Sequence, residues 1–229
     1  KKRNLQLFCF LLTLTSSFCY NLATTRAATI NVSIFTDTVN DDGSCSLREA
    51  ISSANSDSIS GIANGECTAG SGTDTLQLPI GIYTLSIAGT DDGNSSGDFD
   101  ITSDMTITGL GATADDVIID ANDIDRIFDM RDNAVVTIDT LTVTDGTTNV
   151  DGGGISVGNA ANLTLNSVKI NFNVGDHGGG IYVDALGPQS GVLTINDSTI
   201  SDNTAQDGGA LNSKGTSTLN NVSISNNSA

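Results

Sequence analysis

Two short strings recur along the second half of this chain, and their recurrence constrains the fold more than anything else in it. Gly152-Gly153-Gly154-Ile155 returns as Gly178-Gly179-Gly180-Ile181 and as Gly208-Gly209-Ala210-Leu211, at offsets of 26 and 30 residues. Between them, Leu165-Asn166-Ser167-Val168-Lys169-Ile170-Asn171-Phe172-Asn173 is echoed from Ile195 to Asn203 and again from Leu219 to Asn227. A looser copy runs from Ile138 to Gly146, so the copies start at 138, 165, 195 and 219, spaced by 24 to 30 residues. A unit this short cannot bury its apolar side alone, whereas stacked copies share one continuous core.

Each copy reads as one coil. Ile, Val and Leu at alternate positions, Ile170 and Ile200 among them, turn inward. Asn at the turns can bond to its counterpart in the next coil, and Gly is expected to supply left-handed corners. Residues 74–229 hold roughly six coils at about 4.8 Å each, a rod on the order of 30 Å long. The chain stops within a copy at Asn226-Asn227-Ser228-Ala229, so further C-terminal chain is expected. Composition agrees with a stacked core: aromatics are 4% and Trp is absent. Of the 27 acidic residues only Glu49 and Glu66 are Glu, leaving 25 Asp, a residue that favours turns over helix interiors. Strands are expected at Thr75–Leu78, Tyr83–Ile87, Met105–Thr108, Val117–Ile119, Val135–Val143 and Leu163–Ile170, with an earlier one over Thr29–Thr36.

Residues 1–27 read as a signal peptide: Lys1, Lys2 and Arg3 precede an apolar run from Leu5 to Tyr20, with Thr25-Arg26-Ala27 as cleavage site. The run is too short and too rich in Thr and Ser for a membrane span. Phe18 is too bulky for lipid attachment at Cys19. Removing the leader leaves five basic residues against 27 acids, a charge of −22 that excludes nucleic acid and opposes anionic polysaccharide. Cys9 and Cys19 leave with it. Cys45 and Cys67 remain as an even pair in an exported chain, which predicts a disulfide; two Cys without nearby His cannot complete a tetrahedral metal site. Within this cap, 28–73, Ser46-Leu47-Arg48-Glu49 forms a capping box. Leu47, Ala50, Ile51 and Ala54 give the following helix one apolar stripe, and the open end of the coils is the surface it needs.

Cys45-Ser46-Leu47-Arg48-Glu49-Ala50, after the acidic stretch 37–44, resembles the motif that names the CSLREA domain of exported bacterial proteins. The stretches Gly97–Gly109 and Asp125–Asp129 are similar to later segments of that family. The Gly-Gly-(Gly/Ala)-(Ile/Leu) strings and the Ile170 to Asn173, Ile200 to Asn203 and Ile224 to Asn227 strings resemble the repeats of polymorphic outer-membrane proteins, which show Phe-x-x-Asn there. The resemblance implies an all-β, pectin-lyase-like, right-handed parallel β-helix with a short N-terminal capping helix. It also implies a secreted or cell-surface location, with an anchor or sorting signal further along the chain.

That fold class hosts polysaccharide lyases and hydrolases as well as adhesins. A hydrolase needs Asp residues converging in one groove, and candidates are Asp98 with Asp100, Asp115 with Asp116 and Asp120, and Asp123 with Asp125 and Asp129. With 25 Asp such clusters arise by chance, and turn chemistry is the stronger reading. A lyase would need bases, and only Arg126 and Arg131 lie close together; Arg126 is expected to pair with Asp123 or Asp129. His177 beside Asp176 lacks a nucleophile motif. Asp37, Asn40, Asp41 and Asp42, or Asp91, Asp92, Asn94 and Asp98, could hold Ca²⁺, although neither run follows an EF-hand order. A Thr-x-Thr face for ice fits Thr140, Thr142 and Thr144 in one copy, and Lys169, Asn171 and Asp197 spoil it later. No residue is therefore assigned a catalytic, cofactor or metal role. The expected function is a β-helix module for adhesion, ligand binding or envelope structure, its partner an extracellular glycan or surface protein. A polysaccharide-acting enzyme is the alternative.

Overall fold

The computed structural model describes residues 27–158, 160–185 and 189–229. The expected leader, with Cys9 and Cys19, lies outside the described residues apart from Ala27. The described chain is mostly β: 18 strands in three parallel sheets, with one α-helix, Leu47–Ser56. No helix among the described residues is long and apolar enough to cross a membrane.

From residue 74 onward the chain visits the sheets in a fixed order. The first sheet holds Thr29–Asn31, Asp74–Leu78, Met105–Gly109, Val135–Asp139, Asn162–Asn166, Val192–Asn196 and Thr216–Asn220. The second holds Gly81–Thr84, Val117–Asp120, Thr142–Thr144, Lys169–Asn171, Thr199–Ser201 and Ser223–Ser225. The third holds Phe99–Ile101, Phe128–Met130, Ile155–Val157, Ile181–Val183 and Leu211–Ser213. Each repeat thus gives one strand to each sheet and pairs with the repeat before it. The register follows the sequence echoes: Leu165 lies on Ile138 and Ile195, and Ile170 on Val143 and Ile200. Ile138, Leu165, Ile170, Ile195 and Ile200 are fully buried, so the aliphatic positions of every sheet face a common core.

The corners differ from expectation. Val135–Val143 and Leu163–Ile170 each break into two strands in different sheets, at Thr140 (φ 55°) and Ser167 (φ 52°). The same two-residue corner recurs at Asp197 (φ 51°) and Asn221 (φ 54°). The next corner uses Phe172, Asp202 and Asn226, again left-handed. Gly takes this role further along the same connection, just before the third sheet, as Gly152, Gly178 and Gly208. Alternation carries no signal for a single left-handed residue, which is why two joined strands read as one. The following glycines answer a separate demand: a Cβ on Gly180 would stand 2.6 Å from the Ala210 carbonyl oxygen of the next repeat. The strands at 29–36 and 83–87 are also shorter than expected, Thr29–Asn31 and Gly81–Thr84: the Ser33 and Ile34 N–H groups turn to the Cys45 carbonyl, and Asp37 takes the Ser86 and Ile87 N–H groups.

Asn ladders do form. Asn203 Oδ1 accepts from Asn173 N at 3.0 Å and Nδ2 at 2.9 Å, and Asn227 Oδ1 repeats both bonds to Asn203. The fully buried amides of Asn173 and Asn203 satisfy backbone groups that turn inward where the chain bends.

In the cap, Cys45 and Cys67 are bonded. Ser46 accepts from Glu49 N while Glu49 accepts from Ser46 N at 2.8 Å, completing the capping box. The helix lays Ala50, Ile51 and Ala54 against the first strands of the first and third sheets. Arg48, fully buried, reaches out of the helix: Nε and Nη2 bond Asp37 at 2.6 and 3.0 Å, and Nη1 and Nη2 donate to the Asp98 and Gly97 carbonyls. Its guanidinium lies 4.8 Å from the Phe99 ring centre.

Candidate functional site

The outward face of the third sheet carries the candidate site. In Phe99–Ile101 and Phe128–Met130, Phe99, Ile101, Phe128 and Met130 point inward. Strand alternation therefore turns Asp98, Asp100 and Asp129 outward. Asp100 is the register partner of Asp129. The three carboxylates nevertheless remain buried, at 5%, 1% and 6% exposure.

The segment 88–97 covers them. Asp91 gathers its own loop, accepting from the Gly93 and Ser95 N–H groups and from the Ser95 and Ser96 hydroxyls. Asn94, left-handed and buried, ties the loop inward: its N–H donates to Asp100 Oδ2 and its Nδ2 to the Arg48 carbonyl and Ser52 Oγ. Gly97 sits at φ +67°, and a Cβ there would meet the Gly89 oxygen at 2.6 Å.

Two arginines close the site. Arg131 Nε donates to Asp129 Oδ2 at 2.7 Å, while Nη2 lies 2.9 Å from Asp92. Arg126 Nε stands 3.0 Å from Asp98 Oδ2 but is not aligned to bond it, and Nη1 donates to the Asp151 carbonyl. The expected pairing of Arg126 with Asp123 or Asp129 is thus replaced by Asp98, which the loop brings closer. Asp123 instead accepts from the Thr147 hydroxyl. Three buried polar atoms here, Asn94 Oδ1, Asp100 Oδ1 and Arg126 Nε, have no hydrogen-bond partner among the described residues, although Asp100 Oδ1 lies 3.5 Å from Arg131 Nε.

Above the carboxylates lies a groove of about 390 Å³, lined by Asp91, Asp92, Asp98, Asp125, Arg126 and Arg131, with Ile124 and Val150 as apolar walls. Burial raises Asp98 to about 8, helped by Asp100, Asp125 and Asp129 and opposed by Arg126. Burial likewise raises Asp100 to about 6, against the Asn94 N–H and the Arg131 charge. Arg131 holds Asp92 below the ordinary range. The site therefore sets carboxyls of raised proton affinity, Asp98 and Asp100, against Asp92, which is lowered, and two cations. It can donate and accept hydrogen bonds at close quarters, and Asp98, Asp100 and Asp129 have ligand oxygens within 4.8 Å of one another.

The other candidate sets do not assemble. Asp115 pairs with Lys169, Asp116 accepts from Ala112 and Thr113 N–H groups, and Asp120 accepts from Asn122 N. In the run 37–42, Asp37 takes Arg48, Asp41 takes the Ile62 and Ala63 N–H groups, and Asp42 takes Ser44 N. Of the run 91–98, Asp91, Asp92 and Asp98 lie at the groove, and Asn94 Oδ1 is buried without a hydrogen-bond partner among the described residues. His177 Nδ1 lies 2.7 Å from Asp151 and 3.5 Å from Asp176, and Nε2 lies 3.5 Å from Asp207. That cluster is half-exposed and spans three repeats.

The grouping of Asp98 and Asp100 with Asp129 was missed in the sequence, where Asp129 sorts with Asp123 and Asp125. A signal existed: Phe99-Asp100-Ile101 and Phe128-Asp129-Met130 are echoes at an offset of 29 residues. Comparison with protein-family models, with curated proteins and with solved structures found no match for this chain.

Proposed function

We propose that the three sheets form a right-handed parallel β-helix, capped at its N-terminal end by a CSLREA-type segment, and that the chain acts outside the cytoplasm as a ligand-binding module. The constant visiting order of the sheets, the end-packed helix and the Cys45–Cys67 disulfide support this reading. The observation that carries the binding role is the groove on the third sheet, which presents the Asp92, Asp98 and Asp125 carboxyl groups beside the Arg126 and Arg131 guanidinium groups, with Ile124 and Val150 as apolar walls. The ligand is a neutral glycan: carboxyl and guanidinium groups bond hydroxyls well, and a chain of formal charge −18 repels uronates.

An array of neutral and acidic glycans tests this, with Arg126→Ala as the groove variant. Binding to neutral glycans that weakens at least tenfold in the variant is expected. An array with no binding, or binding indifferent to Arg126, would count against the reading.

A second reading, hydrolysis of a glycan, is favoured by one observation: Asp98 is held protonated beside ionisable carboxylates, the division of roles that acid catalysis of glycoside cleavage requires. Release of reducing ends that Asp98→Asn abolishes, while glycan binding persists, would establish it.

A further inference from the structure

The outward face of the first sheet holds a column that the groove does not use. Thr29, Thr75, Thr106, Thr137, Thr164, Thr194 and Thr218 stand in register across all seven strands, with no bulge between them. Their neighbours Ile107, Ile138, Leu165 and Ile195 face the core, so the threonines face solvent. None of these hydroxyls has a hydrogen-bond partner among the described residues. Each is β-branched and hence stiff at χ1. The Thr140, Thr142 and Thr144 string lies elsewhere: Thr142 and Thr144 belong to the second sheet, where Lys169 and Asn171 interrupt them.

The column repeats at one strand separation, about 4.8 Å. A second outward column stands two residues along, roughly 6.6 Å away. There Asp139, Asn166, Asn196 and Asn220 are hydrogen-bonded in series and fixed in place, with the Asp139 carboxylate the one charged group among these four. The threonine column bears no charge and no aromatic ring, in a chain of formal net charge −18. A neutral array of fixed hydroxyl and methyl groups complements a neutral, periodic surface that offers hydrogen bonds at the same repeat. Hexagonal ice repeats its oxygen sites along one axis at close to one strand separation. Crystalline polysaccharide is the poorer match, because flat sugar surfaces are held by aromatic platforms and this face has none.

We propose that the threonine column of the first sheet is an ice-binding face. Its hydroxyls bond to lattice oxygens while its methyl groups order water between them. The stiff side chains and the in-register sheet lower the entropy lost on docking. This face is separate from the groove, and the two can fail independently.

The test is nanolitre osmometry on the full chain, with variants Thr137→Lys and Thr164→Lys in mid-column, Thr164→Val to remove the hydroxyl alone, and Thr199→Lys on the second sheet as control. The intact protein is expected to shape ice crystals and to hold their freezing point below their melting point. Each Lys variant should at least halve that gap with an unchanged circular dichroism spectrum, Thr164→Val should reduce it, and Thr199→Lys should leave it alone. Absence of crystal shaping in the intact protein, or a gap unmoved by every mid-column variant, overturns the proposal. Retention on crystalline cellulose or chitin without ice activity overturns it too and assigns the face to polysaccharide.

Discussion

Replacing Arg48 with Met tests the account of the cap at its most loaded point. Arg48 is fully buried and donates to both oxygens of Asp37 and to the Gly97 and Asp98 carbonyls. Met fills similar volume against Phe99 but donates nothing. Asp37 would keep only the Ser86 and Ile87 N–H groups, and its charge would be left buried without a counter-ion. Breaking one partner out of a buried pair costs about 3–5 kcal/mol. Against a typical total of about 5–15 kcal/mol this is a large share. Adding Asp37→Asn removes the stranded charge, so the double variant should regain part of the loss instead of summing two losses. Urea unfolding followed by circular dichroism measures the total. Hydrogen exchange locates it, since repeat arrays can lose an end while the middle holds. An Arg48→Met protein within about 1 kcal/mol of the parent, or additive single effects, would refute the reasoning.

Three further outcomes are expected. Asp98 and Asp100 are raised to about 8 and about 6, so the folded state holds protons that the unfolded chain releases near pH 4; stability should fall as pH rises from about 4 to 8. Thermal melts across that range check it, and Asp98→Asn should flatten most of the slope; a melting temperature that climbs with pH would contradict the assignment. Replacing Cys45 and Cys67 by Ser, which opens a 22-residue separation, should cost about 3 kcal/mol and raise exchange in the helix before the repeats; repeats opening first would show the cap is not where the bond acts. Asn203→Leu strands the Asn173 N–H and the Ile170 carbonyl and should cost about 2–4 kcal/mol by chemical denaturation, where a neutral result would deny the ladder a stabilising role.

Much of the fold was legible because two signals coincide. Copies of Gly-Gly-(Gly/Ala)-(Ile/Leu) and Ile-x-x-Asn fix which residues stack, and alternation fixes which of them face the core. The capping box at Ser46 and Glu49 was equally readable, since capping is local. The corners were not, because Thr140, Ser167 and Phe172 adopt left-handed backbone that their residue types do not advertise. Of the site, Asp98 with Asp100 and the nearness of Arg126 to Arg131 were visible. The convergence of Asp129 on them was not, since it depends on stacking one repeat over another. The seven threonines lie 24 to 46 residues apart in sequence, so only the register unites them into a column.

The two-residue corner between the first and second sheets holds one length in four successive repeats, while the other two edges are joined by stretches of uneven length. Residues could therefore be gained or lost along those two edges as surface decoration, and each change would stay local. A single residue added at Thr140-Leu141 would instead turn the next strand over, sending buried side chains into water. Copying a block that begins and ends at equivalent corners lengthens the array without disturbing what lies beneath it. Evolution of such a chain is free along two of its three edges and bound along the third.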